Sequence, residues 1–261
     1  VRGDLKRKSN MGRETFVVPV SWERDMHPRK GKILWPVVAP KTGRVERVNP
    51  VIFDGGTPAK NRAFRDDFKH STLNLAWNFV RVPLPNTYSL DENPGHLRLF
   101  THKNTISRRK RAHFMGIKQT ESDFVFTTKM RFNPSHDEST AGIAIVQKDE
   151  NYVSFSVRKE ADGMLVEVLH NKKKVQTIKA HKLNSYKGEI RFKLVSANDN
   201  YTFSYATKGK RYKVLTTTPA DLVLFSGFTG AHIGLYATSN GQDNNDFSDY
   251  DWINYIPKPR K

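Results

Sequence analysis

Four aspartates could in principle supply acid–base chemistry, and they form two pairs at opposite ends of the strand-rich region. Asp66 and Asp67 are adjacent, so in a regular strand they point to opposite faces, whereas Asp249 and Asp251 share a face. Acid–base catalysis needs groups that reach the reacting atoms, and neither pair ensures this. We therefore interpret these side chains first as hydrogen-bonding carboxylates. The alternative is a structural calcium ion held by Asp66, Asp249 and Asp251, because oxygen ligands suit a hard cation.

The sequence contains no other familiar pattern of catalytic or metal-binding residues. Its nine histidines form neither an HExxH motif nor an HxH pair, and it has no cysteine. The lack of cysteine excludes disulfides, thiolate catalysis and cysteine-bound zinc. Nucleophile-elbow, phosphate-loop and dinucleotide-binding patterns are also missing from the sequence. We therefore expect no cofactor apart from the candidate calcium.

Positive charge is the strongest feature of the composition. Lys and Arg number 44 against 26 Asp and Glu, which gives a formal net charge of +18 at pH 7. A field of this sign attracts polyanions such as acidic polysaccharides or nucleic acid, although it also aids solubility. The densest basic cluster comprises Arg108, Arg109, Lys110 and Arg111. We favour a solvated loop with Phe114 in the core; a polyanion-binding loop with Phe114 as a stacking platform is the alternative.

Short strands separated by turn residues dominate the chain after its first 60 residues. In Asp123–Phe132, alternate residues are mainly apolar, which predicts a strand with one face in a core. We predict an all-β fold with an extended arm at 1–60, a β-sandwich at 61–257 and a basic tail at 258–261. No window holds the roughly 20 apolar residues that a membrane-spanning helix needs, so we expect no membrane partner.

Several segments, in register along the chain, share a family resemblance. They are GRETFVVPVSW, FRDDF, LNLAWNFVRVP, NYVSFSV, GFTGAHIGLYAT and SDYDWINY. Together they resemble the C-terminal portion of glycoside hydrolase family 43 enzymes of the β-xylosidase and α-L-arabinofuranosidase type. The resemblance implies a concanavalin A-like jelly-roll β-sandwich. It also implies that the arm corresponds to the closing strand of a five-bladed β-propeller and a linker.

The same resemblance implies that the catalytic groups lie outside this sequence. In the family an Asp base, a Glu acid and a second Asp lie on earlier propeller blades, and none maps onto these residues. We therefore predict no catalytic residue here and no activity of the chain alone. The expected partners are a hemicellulose-type oligosaccharide or polysaccharide and a propeller-bearing polypeptide that pairs with the strand around GRETFVVPV. The sequence leaves the cellular compartment open, and of the alternatives we favour a secreted or extracellular location.

One loop of the sandwich is the candidate sugar-binding element. In xylosidases of the family the sandwich contributes an aromatic side chain to the rim of the active site. The segment GFTGAHIG is the local match, which implies that Phe228 and His232 bind substrate. An aromatic ring there would stack on a pyranose and exclude water. The family commonly has an aromatic residue at the position of His232, and for this reason we favour the alternative, a buried strand Phe228 beside a surface histidine.

Two functions of other classes are also compatible with the sequence. A non-catalytic lectin-like or polyanion-binding module would use the +18 surface and would lose affinity steeply as salt rises. We do not expect nucleic acid to be its ligand. A sandwich used only for structural packing would bind no ligand, and the fold alone does not distinguish it from the others.

Overall fold

The computed structural model describes seven stretches of the chain: residues 8–13, 15–27, 29–46, 63–107, 109–172, 174–225 and 227–258. Among these residues, none of the helices has the length and apolar composition of a membrane-spanning segment. Contacts divide the described residues into two compact units, of which one comprises 15–46 and the other comprises 8–13 with those from 63 to 258. The arm predicted at 1–60 therefore differs from the structure at its start, because residues 8–13 group with the sandwich.

The smaller unit contains an antiparallel hairpin formed by β1 (Val20–His27) and β2 (Gly31–Val38). Five exposed apolar side chains share one face of this hairpin: Val20, Trp22, Met26, Leu34 and Val38. The other face carries Trp35, which is 59% exposed. A two-stranded hairpin is too small to bury such side chains against itself.

The larger unit consists of two antiparallel sheets. The first contains seven described strands: β4 (Trp77–Phe79), β7 (His113–Lys118), β9 (Thr140–Lys148), β10 (Asn151–Glu160), β11 (Gly163–Lys172), β12 (Lys174–Lys182) and β16 (His232–Thr238). Their spatial order is β12, β11, β10, β9, β16, β7, β4. The central position of β16, a late strand, shows that the sheet is not a simple meander.

The second sheet contains eight described strands: β3 (Phe64–Asp66), β5 (Tyr88–Ser89), β6 (Leu97–Phe100), β8 (Asp123–Phe132), β13 (Glu189–Ala197), β14 (Asn200–Ala206), β15 (Lys213–Pro219) and β17 (Phe247–Lys258). Seven follow the order β15, β14, β13, β8, β17, β6, β5, and β3 pairs with β17. A short 3-10 helix, η1 (Ala220–Val223), follows β15. The last strand, β17, lies inside this sheet between β8 and β6. Its pairing with β3 therefore attaches the first strand of the sandwich to the sheet.

The inward faces of the two sheets form one aromatic core. The alternation predicted for β8 is confirmed, because Phe124, Phe126 and Phe132 are at most 1% exposed. Across the core, the Phe155 and Phe192 rings meet edge to face with centroids 4.8 Å apart. Full burial of one such side chain contributes about 1.5–3 kcal/mol. The prediction of an all-β sandwich is confirmed by this arrangement.

A β-bulge interrupts β17 between Tyr250 and Trp252. Asp251 has no partner in the pairing with β8, so the alternation of the strand shifts by one residue there. As a result Tyr250 and Ile253 both enter the core at 0% exposure, although they are three positions apart. The bulge turns Asp251 away from that core.

Candidate functional site

The loop at 227–231 is paired with the first described residues of the chain. The N–H of Arg13 donates to the carbonyl of Phe228 at 3.0 Å, and the N–H of Ala231 donates to the carbonyl of Asn10 at 2.8 Å. These bonds place residues 8–13 alongside the loop. The segment that the sequence assigned to sugar binding is therefore held by backbone hydrogen bonds at both of its ends.

Two glycines permit this close approach of two backbones. A Cβ atom built on Gly12, which has φ of +70°, would lie 2.4 Å from the nitrogen of Gly230. A Cβ atom on Gly230 would lie 2.8 Å from the carbonyl oxygen of Met11. A larger residue at either position would push the backbones apart. Gly12 is the first residue of the segment GRETF, which the resemblance placed near a propeller strand. In the structure it packs on the sandwich.

Gln147, near the end of β9, connects the same loop to the seven-stranded sheet. Its amide nitrogen donates to the carbonyls of Ser9 at 2.7 Å and Thr229 at 2.9 Å. Its amide oxygen accepts a hydrogen bond from the N–H of Phe225 at 2.5 Å. One side chain thus orders the N-terminal segment and both sides of the loop. Sequence reasoning missed it because its partners Ser9 and Thr229 lie 138 and 82 residues away.

The side chain of Phe228 projects from this fixed loop and is 69% exposed. The guanidinium carbon of Arg13 lies 3.6 Å from the centre of its ring, which is a cation–π geometry. Arg13 therefore covers part of the ring and limits how it can turn. The alternative interpretation of Phe228 as a buried strand residue is wrong, because the residue lies on a loop with most of its side chain in solvent.

His232 is the first residue of β16 and lines a cavity of about 280 Å³. Thr229 also lines this cavity, whereas the neighbouring Phe228 does not. An ion pair between Arg81 and Asp149, with a nitrogen–oxygen distance of 2.5 Å, forms part of the wall. Burial lowers the pKa of His232, so its imidazole is neutral at pH 7. Of the two predicted sugar-binding residues, only His232 therefore lines this cavity.

Two of the aspartates proposed for calcium binding accept hydrogen bonds from nitrogen donors of the protein. Asp66 accepts from the indole N–H of Trp77 at 2.8 Å. Asp249 accepts from Arg98 through both of its oxygens, at 2.8 and 3.0 Å, and from Asn93 at 2.9 Å. These are strand-end contacts that join distant parts of the chain. They match the first interpretation of both side chains.

The third aspartate, Asp251, lies beside two basic side chains. Asp251 lies 2.6 Å from the amine of Lys129 and 3.2 Å from His96. Across the described stretches, no three His, Cys, Asp or Glu side chains form a group that could hold a metal ion. Both oxygens of Asp66 and both oxygens of Asp249 accept hydrogen bonds from the protein, whereas Oδ1 of Asp251 accepts none from the residues that the structure describes. Calcium binding by these three aspartates stays a prediction.

The basic cluster at 108–111 lies on a loop whose backbone is tied to the sandwich; Arg108 itself lies outside the described residues. The N–H of Arg109 donates to Asp149 at 3.3 Å, the carbonyl of Lys110 accepts from Arg81 at 2.9 Å, and the carbonyl of Arg111 accepts from Asn104 at 3.2 Å. These three basic residues are exposed, whereas Phe114 is only 2% exposed. Phe114 is therefore a core residue, as favoured, and cannot be a stacking platform.

Comparison with known proteins relates this sandwich to a described family of domains. A family model described as the β-xylosidase C-terminal concanavalin A-like domain matches residues 65–256. This range runs from the first strand of the sandwich almost to its last residue. The predicted concanavalin A-like fold and the family resemblance are both confirmed.

Individual relatives share the similarity over nearly the whole chain. A non-reducing end α-L-arabinofuranosidase of Bacteroides ovatus is 29% identical over 250 residues, which are 94% of this chain and 45% of the relative. A xylosidase/arabinosidase of Butyrivibrio fibrisolvens is 28% identical over 255 residues, which are 95% of this chain and 47% of the relative. A solved structure described as Bacteroides ovatus xyloglucan PUL GH43B has a TM-score of 0.85 at 28% identity, covering 99% of this chain and 50% of that one. The chain spans about half the length of these relatives.

Proposed function

Because this chain belongs to the family of β-xylosidase C-terminal concanavalin A-like domains, we propose that it is the accessory sandwich of a glycosidase acting on hemicellulose-type carbohydrate. The relatives are named for removal of xylose or arabinose, and they are about twice as long as this chain. The match over 65–256 is the observation that supports this proposal most directly. Hydrolysis itself is then performed by residues outside this sequence.

The loop at 227–231 is the part of the sandwich that we assign to the sugar site. A ring that stacks on a sugar must be exposed yet held in a fixed place, since ordering it on binding would reduce affinity. Phe228 meets both conditions, because it is 69% exposed and its backbone carbonyl accepts from Arg13. Its role is to wall one side of the sugar site, while the neutral His232 lines a separate cavity next to the loop.

The carboxylates described above do not provide an acid and a base for this reaction. Inverting hydrolysis needs two carboxyl groups about 6.5–9.5 Å apart on either side of a sugar. Asp249 and Asp251 are instead engaged by Arg98 and Lys129. We therefore expect the isolated chain to be inactive.

The hairpin supports the need for a propeller-bearing partner. Its apolar face, with Trp22 at 65% and Leu34 at 62% exposure, resembles one half of an interface rather than a solvent-facing surface. We infer that the surface covering this face comes from the region that the relatives have in addition to the matched part. That region can belong to the same polypeptide as this chain or to another one. The sandwich would then brace the propeller through this hairpin.

The test compares the isolated chain with the longest polypeptide that its gene encodes. Both are assayed for release of 4-nitrophenol from β-D-xyloside and α-L-arabinofuranoside and for hydrolysis of xylobiose. We expect activity only in the longer polypeptide, and there Phe228→Ala lowers kcat/KM by roughly two- to tenfold, since one aromatic contact contributes about 0.5–1.5 kcal/mol. Phe225→Ala, which removes another exposed ring near the loop, is the matched control. Release of xylose by the 261 residues alone would contradict the proposal.

A polyanion-binding module without catalysis is the second candidate, supported by the net charge of +18. The exposed residues Arg109, Lys110 and Arg111 would then contribute to a surface whose affinity falls steeply with salt. The affinity for a neutral sugar that stacks on Phe228 should change little with salt concentration. A salt series of binding measurements therefore separates this candidate from the first.

A further inference from the structure

A second recess lies at the edge of the sandwich formed by β12 and β15, four strands away from β16 in the order of the first sheet. Its cavity is about 350 Å³ and lies between the connection from β12 to β13 and the turn from β14 to β15. We name it the edge cleft. No part of the proposed glycosidase function uses this cleft.

The edge cleft has a strongly positive lining. Four of its lining residues are cations, and no lining residue is a carboxylate: the cations are Lys182, Lys208, Arg211 and Lys213. The Lys182 amine pairs with Asp162 outside the cleft. In the part of the chain that the structure describes, no ion pair is recorded for Lys208, Arg211 or Lys213. Unpaired like charges gathered in one recess repel one another, and a bound anion would relieve that repulsion.

Neutral groups in the same cleft suit a carbohydrate. Asn184, Ser185 and Thr207 offer amide and hydroxyl groups that can donate and accept hydrogen bonds. Leu183 and the ring of Tyr205 supply apolar surface beside them. A site that combines a few polar groups with an apolar wall matches the two-sided character of a sugar ring. Inorganic phosphate would use the cations but not this neutral lining.

The walls of the edge cleft are held in place by hydrogen bonds. The hydroxyl of Tyr186 donates to the carbonyl of Phe132 at 2.8 Å. The N–H of Leu183 donates to the carbonyl of Met164 at 2.8 Å. Tyr205 is only 6% exposed, so its ring is fixed by packing. Ordering these walls on binding therefore costs little conformational entropy. The affinity depends mainly on the contacts that the ligand makes.

From this combination we propose that the edge cleft binds a hexuronic acid residue of an acidic oligosaccharide. The carboxylate is bound by Arg211 and Lys213, because a guanidinium and an ammonium form charge-assisted hydrogen bonds to it. The hydroxyl groups face Asn184 and Ser185, and one ring face lies against Leu183. A nucleic acid is a poorer match, since a phosphate backbone requires a continuous row of cations rather than one recess.

The test measures binding to the isolated chain by calorimetry at about 0.15 M salt. The probes are xylotriose carrying one glucuronic acid branch and unbranched xylotriose. We expect the acidic probe to bind at least about tenfold more tightly, a difference of about 1.4 kcal/mol that one charge-assisted contact can supply. Equal affinity for the two probes would overturn the proposal. The measurement requires no hydrolysis, so its outcome is independent of the glycosidase assignment.

Variants locate the site. Arg211→Ala combined with Lys213→Ala should weaken binding of the acidic probe about tenfold and leave the melting temperature of the protein nearly unchanged. Lys208→Gln is the second variant, for use if the double variant does not fold. Lys174→Ala removes an exposed lysine at the other end of β12 and should leave binding intact. An equal loss in Lys174→Ala, or tighter binding of an oligonucleotide that displaces the acidic probe, would refute the proposal.

Discussion

The guanidinium carbon of Arg13 lies 3.6 Å from the centre of the Phe228 ring. Such a contact at an exposed site contributes about 0.5–1 kcal/mol. We expect a coupling free energy of about this size between Arg13→Ala and Phe228→Ala in denaturant unfolding. The matched cycle combines Arg13→Ala with Phe225→Ala, whose ring instead lies 4.2 Å from the Lys148 amine, and should show no coupling. Zero coupling in the first cycle would mean that Arg13 does not restrain the ring.

Replacement of Gly12 should release residues 8–13 from the loop. Gly12→Ala introduces a Cβ atom that would lie 2.4 Å from the nitrogen of Gly230. We expect faster amide hydrogen exchange at Arg13 and Ala231, whose N–H groups form the bonds between the two segments. Gly95→Ala is the control, because Gly95 also has a positive φ, +80°, but a Cβ atom there would have no neighbour within 4 Å. That control isolates the backbone strain of an alanine there, about 1–2 kcal/mol. Unchanged exchange in Gly12→Ala would show that the close approach is not needed.

Asp246 makes stability depend on pH in the acidic range. Burial alone would raise its pKa, but hydrogen bonds from Ser135, Ser139 and His136 outweigh burial and lower the pKa to about 2. Because the folded pKa is below the unfolded one, the stabilisation is complete above about pH 4 and is lost as pH falls toward 2. Asp246→Asn should remove about 2 kcal/mol of stability at neutral pH and flatten this part of the profile.

The measurement for Asp246 is urea unfolding at a series of pH values between about 5 and 2. Asp243→Asn is the control, since the Asp243 side chain is 81% exposed. A wild-type profile that stays flat across this window would contradict the hydrogen-bonded arrangement around the Asp246 carboxylate.

His113 makes the free energy of unfolding depend on pH over a higher pH range than Asp246 does. The cause here is burial of the imidazole. Burial lowers its pKa to about 4, its Nδ1–H donates to the carbonyl of Phe100 at 2.8 Å, and its ring stacks on His102 at 4.7 Å. The unfolded chain therefore binds the proton first, and stability falls as pH drops from about 6.5 to 4. The full loss is about 3 kcal/mol. His113→Gln should abolish this slope, whereas His70→Gln, at an exposed position, should retain it.

The apolar face of the hairpin should make the isolated chain bind hydrophobic dyes. Trp22→Ser combined with Leu34→Ser removes two side chains that are 65% and 62% exposed on that face. We expect a clear loss of dye fluorescence in this double variant. Val175→Ser combined with Val214→Ser is the control, because these side chains are 60% and 65% exposed but lie on different strands of the sandwich. Equal losses in the two variants would show that the hairpin face has no special affinity for apolar ligands.

Prediction from sequence succeeded where burial repeats along one strand. The alternation of Asp123–Phe132 predicted the buried face of β8, and the bulge at Asp251 is the place where such alternation failed. An inserted residue shifts the alternation of buried and exposed positions without changing the composition of the strand. No local sequence pattern therefore predicts the bulge. The contacts of Asp66 with Trp77 and of Asp249 with Arg98 could not be predicted from the sequence either. A carboxylate on a strand can face solvent, bind a metal ion or pair with a cation, and the sequence does not distinguish these cases.

By itself the sequence determined the all-β class, the family and the loop that contains Phe228, since each depends on residue type and spacing along the chain. Only the tertiary structure decided that residues 8–13 support this loop, that Arg13 covers the Phe228 ring and that Lys208, Arg211 and Lys213 surround one cleft. The physical reason is that periodic burial depends on neighbours two positions away, whereas these contacts depend on how whole strands and turns are packed.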